Sequence, residues 1–320
     1  MKKLVGHIFR FGIAGACIAY ALWGVNFNAL AQAFHRFDML RIAGLILFSF
    51  LGYFLLGCRL RFISSGRVSV YLGTKASIFA LGVNNIFPAK LGEVAKALYL
   101  GQVTSMGPAS GLGIVFWERF FDLNMLLALG LLSTISLKLG FIAVPFALAI
   151  ATGWLYVYSL RRHPHVVPRI LAYLPLGRLR LFIDDVNGHV SKDFGPGFAL
   201  RLLGVTALVW GQYVLQVGAG LNWVGGLSLT PGQVMAVFVV SAVGMAVPSS
   251  PGAFGMYEAS FVFGMGLFGI DKTDALAVAL VIHMIQYVPT TVISGIIFCD
   301  KRVSVSSLWK RPDHDIAETK

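Results

Sequence analysis

The sequence predicts an all-α polytopic membrane protein, with about six full transmembrane helices and two re-entrant or broken helical hairpins in inverted repeats. Three observations carry that prediction. Of the 320 residues, 57% are hydrophobic and 12% charged, with a mean hydropathy of +0.77, whereas soluble domains are roughly a quarter charged. Apolar runs recur along the chain, and several reach the ~20 residues a helix needs to cross a bilayer. Two apolar regions are interrupted by polar stretches of similar design, "NNIFPAKLGEVAK" at 84–96 and "AVPSSPGAFGMYEAS" at 246–260. Each holds a Pro-x-x-x-Gly followed by a glutamate.

The first apolar run, about 8–27, follows Lys2 and Lys3 and is read as an uncleaved first helix. Ala31-Gln32-Ala33 has the form of a signal-peptidase site, but the run is long for a signal peptide. Further spans are expected at about 42–60, 111–135, 141–160, 198–222 and 274–298. The interrupted regions, about 70–107 and 231–269, each read either as one crossing helix plus a loop or as a re-entrant hairpin.

Basic residues arbitrate, because Lys and Arg in short loops favour the cytoplasm. With the N-terminus inside and both interrupted regions re-entrant, the basic loop 161–197 and the tail with Lys301, Arg302, Lys310 and Arg311 both fall inside. Outside loops then hold only Arg36, Arg41, Lys138 and Lys272, four of the 26 basic residues. The first half then reads helix, helix, hairpin, helix, and the second half repeats it with every direction reversed. Inverted repeats with broken segments at corresponding positions are a transporter architecture. Pro88 and Gly92 align with Pro251 and Gly255, with Glu93 and Glu258 just after.

The expected organisation is a first transmembrane half over 1–160, a basic cytoplasmic linker over 161–197, a second half over 198–299 and a cytoplasmic tail over 300–320. The linker reads either as a plain connection or as a short amphipathic helix on the membrane surface. The expected location is the bacterial inner membrane, with both termini cytoplasmic.

The net charge of +12 is accounted for by the same positive-inside bias. No nucleic-acid-binding motif accompanies it. Cys17, Cys58 and Cys299 are odd in number and lack metal-ligand spacing. No phosphate loop and no hydrolase or metalloprotease motif occurs. No cofactor or metal is expected.

Ionisable groups at membrane depth are costly and persist when paired or facing a polar cavity, so they mark the candidate sites. The first is the opening interruption: Asn84, Asn85, Pro88, Lys90, Gly92, Glu93 and Lys96 offer a set able to hold a charged or zwitterionic head group. The second is "VFWERFFDL", whose Glu118, Arg119 and Asp122 lie close on one helix surface. Two acids and one base leave a negative surplus that Lys90 or Lys96 would complement. The third is Pro248, Ser249, Ser250, Pro251, Gly252 and Gly255, with Glu258 one turn later. Its free N–H groups and hydroxyls suit an anion. The fourth is His283 with Gln286 in the last span, a histidine able to titrate near neutral pH.

"GVNNIFPAKLGEVAKALYL", "VFWERFFDL" and "VPSSPGAFGMYEASFVFGMGLFGID" together resemble the flippase-like transmembrane region of the lysylphosphatidylglycerol synthases. This chain resembles a stand-alone member without the synthase domain. The resemblance spans nearly the whole chain and implies a translocase moving a polar or modified lipid (glyco, phospho or aminoacyl) between leaflets. It carries Asn84, Pro88, Gly92, Glu93, Glu118, Arg119, Asp122, Pro248, Pro251, Gly252, Gly255 and Glu258 as motif positions. The family often has arginine where this chain has Lys90 and Lys96, and lysine cannot grip a phosphate bidentately.

The expected function is therefore lipid translocation rather than catalysis, with Glu93, Glu118, Arg119, Asp122 and Glu258 along the path. Membrane lipids are the expected partners. Two other readings stay open: an intramembrane lipid-modifying enzyme with Glu93 or His283 as base, and a non-transporting partner of an envelope-lipid synthase.

Overall fold

The computed structural model describes residues 2–87, 90–104, 108–162, 195–247 and 250–299. Pro88, Pro248, Ser249, nearly all of the basic linker and the C-terminal tail lie outside the described residues. Within them the fold is helical and no strand occurs. The helices are α1 (Lys2–Leu22), α2 (Phe27–His35), α3 (Met39–Ile63), α4 (Val70–Ile86), α5 (Gly92–Val103) and α6 (Pro108–Ser136). They continue with α7 (Gly140–Arg162), α8 (Pro196–Ala219), α9 (Pro231–Ala246), α10 (Met256–Gly266) and α11 (Lys272–Cys299).

Side-chain caps explain several of the starts. Asn26 accepts the N–H groups of Asn28 and Ala29, and Asp38 accepts that of Leu40 at 2.8 Å. Ser69 accepts the N–H of Leu72, and Thr230 with Gln233 forms a reciprocal capping box at α9.

Four helical stretches are long and apolar enough to cross a membrane: Met39–Ile63, Gly140–Ser159, Gly197–Val224 and Lys272–Cys299. They match four of the six expected spans. The first expected span is not one straight helix, because α1 and α2 meet at a bend of 80°. Counting that pair as one broken span gives five. The remaining expected span falls in α6, which at 29 residues is long enough but carries Glu118, Arg119 and Asp122. Large apolar side chains such as Leu47, Phe141, Leu208, Leu215 and Ile296 point outward from these helices, as a lipid-facing surface requires.

Both interrupted regions are broken where the sequence indicates. The helical ladder stops at Ile86 and resumes at Gly92, and α5 packs back on α4. Gly92 is required there: its N–H donates to Asn84 Oδ1 at 2.7 Å, and a Cβ would overlap the Ala80 carbonyl. In the second region α9 ends at Ala246, a short 3-10 turn covers Pro251–Ala253, and α10 packs back on α9. Gly255 sits at φ 81, a left-handed conformation that glycine adopts without penalty.

The elements then interlock across the chain. Helix α4 lies against α11 and α9 lies against α6, while α3 packs on α8. One apolar core gathers Leu221, Val237, Phe261, Leu276 and Ile282 from α9, α10, α11 and the single π turn (Gly220–Val224) that ends α8. The other gathers Leu60, Phe79, Leu100, Phe121 and Leu202 from α3 to α6 and the start of α8.

Candidate functional site: a charged cavity between two broken hairpins

A cavity of about 490 Å³ opens between the two broken regions. Its walls come from α3, α4, α5, α6, α8, α9, α10 and α11 and from the turn at 250–253. Twelve of the sequence-predicted site residues line it: Asn84, Asn85, Lys90, Glu93, Lys96, Glu118, Arg119, Asp122, Ser250, Gly252, His283 and Gln286.

The charged side chains form one connected cluster. Lys96 is buried and pairs with Glu118, and its Nζ lies 3.1 Å from Glu93 Oε2. Arg119 Nη2 stands 3.2 Å from both Glu93 Oε1 and Asp122 Oδ2. The complement expected from Lys96 toward the α6 acids is thus present.

Arg59, on α3, completes the cluster. It is 2% exposed, with Nη1 2.5 Å from Asp122 Oδ1 and Nη2 3.4 Å from Glu118 Oε1. Trp210 Nε1 donates to Asp122 Oδ1 at 2.8 Å. The negative surplus expected from α6 alone is therefore absent. Arg59, Lys96 and Arg119 balance Glu93, Glu118 and Asp122, three against three. Lys90 also lines the cavity and has no ion-pair partner among the described residues, so the wall carries one positive charge in excess.

A buried ion is tolerable when paired and hydrogen-bonded, and an unpaired one is not. The cluster pairs each charge by drawing one member from α3, two from α5 and three from α6, which binds the first hairpin to the body, while Arg59 Nε has no hydrogen-bond partner among the described residues. Asn85 adds a tie to the other half of the chain. Its Nδ2 donates to Thr290 Oγ1 and Thr291 Oγ1, both at 2.9 Å, on α11.

Among the described residues, the predicted Gly92, Pro251, Gly255 and Glu258 are not part of the wall of the cavity. Glu258 does not line it, contrary to expectation: it lies behind His283, whose Nδ1 is 2.6 Å from Glu258 Oε1. Glu258 Oε2 accepts the Gly255 N–H at 2.7 Å. A glutamate one turn after a helix start is drawn to its free N–H groups, which turns this side chain back toward the break. Gly92 and Gly255 serve backbone geometry, and Pro251 opens the 3-10 turn.

Residues 7–294 match the family described as the lysylphosphatidylglycerol synthase TM region. The chain belongs to that family. A curated relative of this lysylphosphatidylglycerol synthase transmembrane family member is the UPF0104 membrane protein MJ1078 of Methanocaldococcus jannaschii. It is 25% identical, with 68% of this chain and 92% of the relative covered. No solved structure matches. The family and the apolar helices together make this a multi-pass membrane protein.

Sequence reasoning missed Arg59, Trp210 and a neutral polar strip of Tyr53, Ser77 and Gln216 on the cavity wall of this family member. A signal for Arg59 was present. Ser49, Gly52, Leu56, Arg59 and Ile63 recur at helical spacing and are all buried, whereas Arg61 falls off that stripe.

Proposed function

We propose that the protein is a lipid translocase of the bacterial inner membrane. A polar or modified lipid places its head group in the cavity while its acyl tails stay in the bilayer. The observation that carries the reading is the composition of the cavity: a neutral, fully paired ion cluster beside an unpaired Lys90. One free cation among hydrogen-bonding groups suits a head group with a single negative charge, such as a phosphodiester.

The architecture reads as two inverted repeats, each helix, helix, broken hairpin, helix. Several correspondences support this. Helices α1, α3, α4, α5 and α6 match α7, α8, α9, α10 and α11 in order. The packing is reciprocal: α4 lies on α11 as α9 lies on α6, and α3 meets α8. Each hairpin glutamate is held by a basic residue at the same depth of the following long helix, Glu93 by Arg119 and Glu258 by His283. Arg119 and His283 each lie eleven residues after the first residue of their helices, Pro108 and Lys272.

On this reading there are six full spans and two re-entrant hairpins, with both termini and the linker 161–197 cytoplasmic. The repeats run over α1 to α6 and over α7 to α11, so α7 opens the second repeat and the boundary falls before Gly140 rather than at residue 160. Translocation follows from rocking one repeat against the other about the cavity.

The test is reconstitution into liposomes holding trace lipids with labelled head groups, read by a membrane-impermeant quencher. The translocase reading expects faster leaflet exchange of an anionic lipid than in protein-free liposomes. No acceleration for any lipid contradicts it, and chemical conversion of the lipid instead favours an intramembrane enzyme.

A further inference from the structure

His283 and Glu258 form a buried pair whose hydrogen bonds require two protons. Glu258 Oε1 lies 2.6 Å from His283 Nδ1, and the Gly252 carbonyl oxygen lies 3.0 Å from His283 Nε2. A carbonyl only accepts, so Nε2 must carry a proton. The Glu258–Nδ1 contact needs a second proton, whether it sits on the ring or on the carboxyl group. Glu258 Oε2 is already taken by the Gly255 N–H, so the pair has no other arrangement for these bonds.

The ring is held firmly in place. Tyr257 packs on it with centroids 4.5 Å apart, and Phe254 does so at 5.0 Å. The titratable groups facing it are Glu258 and Tyr257 of α10 and Tyr287 of its own helix. Across the cavity stand the charged side chains of α3, α5 and α6, together with Lys90. His283 also lines the cavity, so the pair has a route to water.

We propose that His283 and Glu258 are a proton-binding switch that locks the second broken hairpin to α11. With two protons the pair is neutral overall, and Nε2–H ties Gly252 to the ring. When one proton leaves to water in the cavity, the pair carries one negative charge. The remaining proton stays between the carboxylate and Nδ1, because a charge-assisted hydrogen bond is roughly twice as strong as a neutral one. Nε2 then turns a bare lone pair toward the Gly252 carbonyl. Two acceptors repel at that distance, so the turn at 250–255 separates from α11. Gly252, at φ 63, and Gly255, at φ 81, are the joints that absorb the movement.

The proton site stands on this geometry alone, and only its use as the coupling ion of translocation rests on the translocase reading. The experiment is ¹⁵N NMR of histidine-labelled protein in lipid nanodiscs. His283→Gln identifies one signal among the seven histidines. Hydrogen exchange of residues 250–256, corrected for intrinsic pH dependence, is measured on the same samples.

At low pH both His283 ring nitrogens are expected to be protonated. As the pH is raised the signal moves to the Nδ1–H tautomer. Protection of the 250–256 amides falls with it by about fivefold, the equivalent of one ordinary hydrogen bond. In Glu258→Gln the doubly protonated form is lost at neutral pH. A ring that keeps the same protonation pattern at every pH, an unchanged doubly protonated ring in Glu258→Gln, or titration without a change in exchange overturns the proposal. If the variants do not fold, the exchange measurement on the wild type still decides it. Neither readout involves lipid movement, so failure here leaves the translocase reading standing, and failure of transport leaves the proton site standing.

Discussion

Arg59 and Asp122 face each other across α3 and α6 as a forked pair, with Nη1 2.5 Å from Oδ1 and Nη2 3.5 Å from Oδ2. The guanidinium also reaches Glu118, so one buried arginine serves two carboxylates. Replacing it by leucine leaves those carboxylates short of their counter-charge. Breaking a buried pair by removing one partner costs about 3–5 kcal/mol. Arg59→Leu is therefore expected to lower the unfolding temperature sharply in a thermal melt of the detergent-solubilised protein. Arg59→Lys keeps the charge but loses the fork, and should fall between the leucine variant and the wild type.

Lys96 and Glu118 bring the first hairpin and α6 into one network, so their substitutions should not add. A cycle of Lys96→Met, Glu118→Gln and the double variant is expected to give a coupling energy of about 0.5–3 kcal/mol. Additive effects would mean that the pair contributes nothing of its own.

Much of the helical arrangement was legible from the apolar runs, and four expected spans coincide with helices long enough to cross. The two breaks were legible because proline, glycine and polar residues interrupt otherwise apolar stretches. The partnership of Lys96 with Glu118 followed from charge balance at membrane depth. Arg59 was obscured because it lies in "LLGCRLRFI" beside Arg61, where two arginines near a span's end read as loop-facing charge. The pairing of Glu258 with His283 depends on how α10 folds back toward α11, and a separation of 25 residues carries no periodic signal. The bend between α1 and α2 was missed because the apolar character continues through it.

Gly92 allows α5 to approach α4 at the first break. A Cβ there would overlap the Ala80 carbonyl and lie 2.7 Å from the Asn84 side chain. Overpacking of this kind costs about 1–3 kcal/mol. Gly92→Ala should destabilise the protein by that amount and reduce transport. Gly211→Ala, where nothing lies within 4 Å, should leave both unchanged in the same melts and assays.

Asn85 ties the first hairpin to α11 through Thr290 and Thr291. Inter-helix hydrogen bonds in membranes are worth about 0.6 kcal/mol on average and up to about 1.7 kcal/mol. Asn85→Ala is expected to cost an amount in that range by denaturant titration. Its effect on lipid exchange should be larger than its effect on stability, because the bond spans the two proposed repeats.

Lys90 is the cation left over when the cluster is balanced, and it sits at φ 53. Asparagine tolerates that left-handed conformation, so Lys90→Asn removes the charge with little strain. The most direct test of the cavity as a head-group site is mass spectrometry of the lipids that co-purify with the wild type and with Lys90→Asn. The account predicts a minor anionic lipid enriched in the wild type above its share of the membrane, with the enrichment lost in a variant that melts at the same temperature. Bulk membrane lipid in membrane proportions in both samples would contradict it.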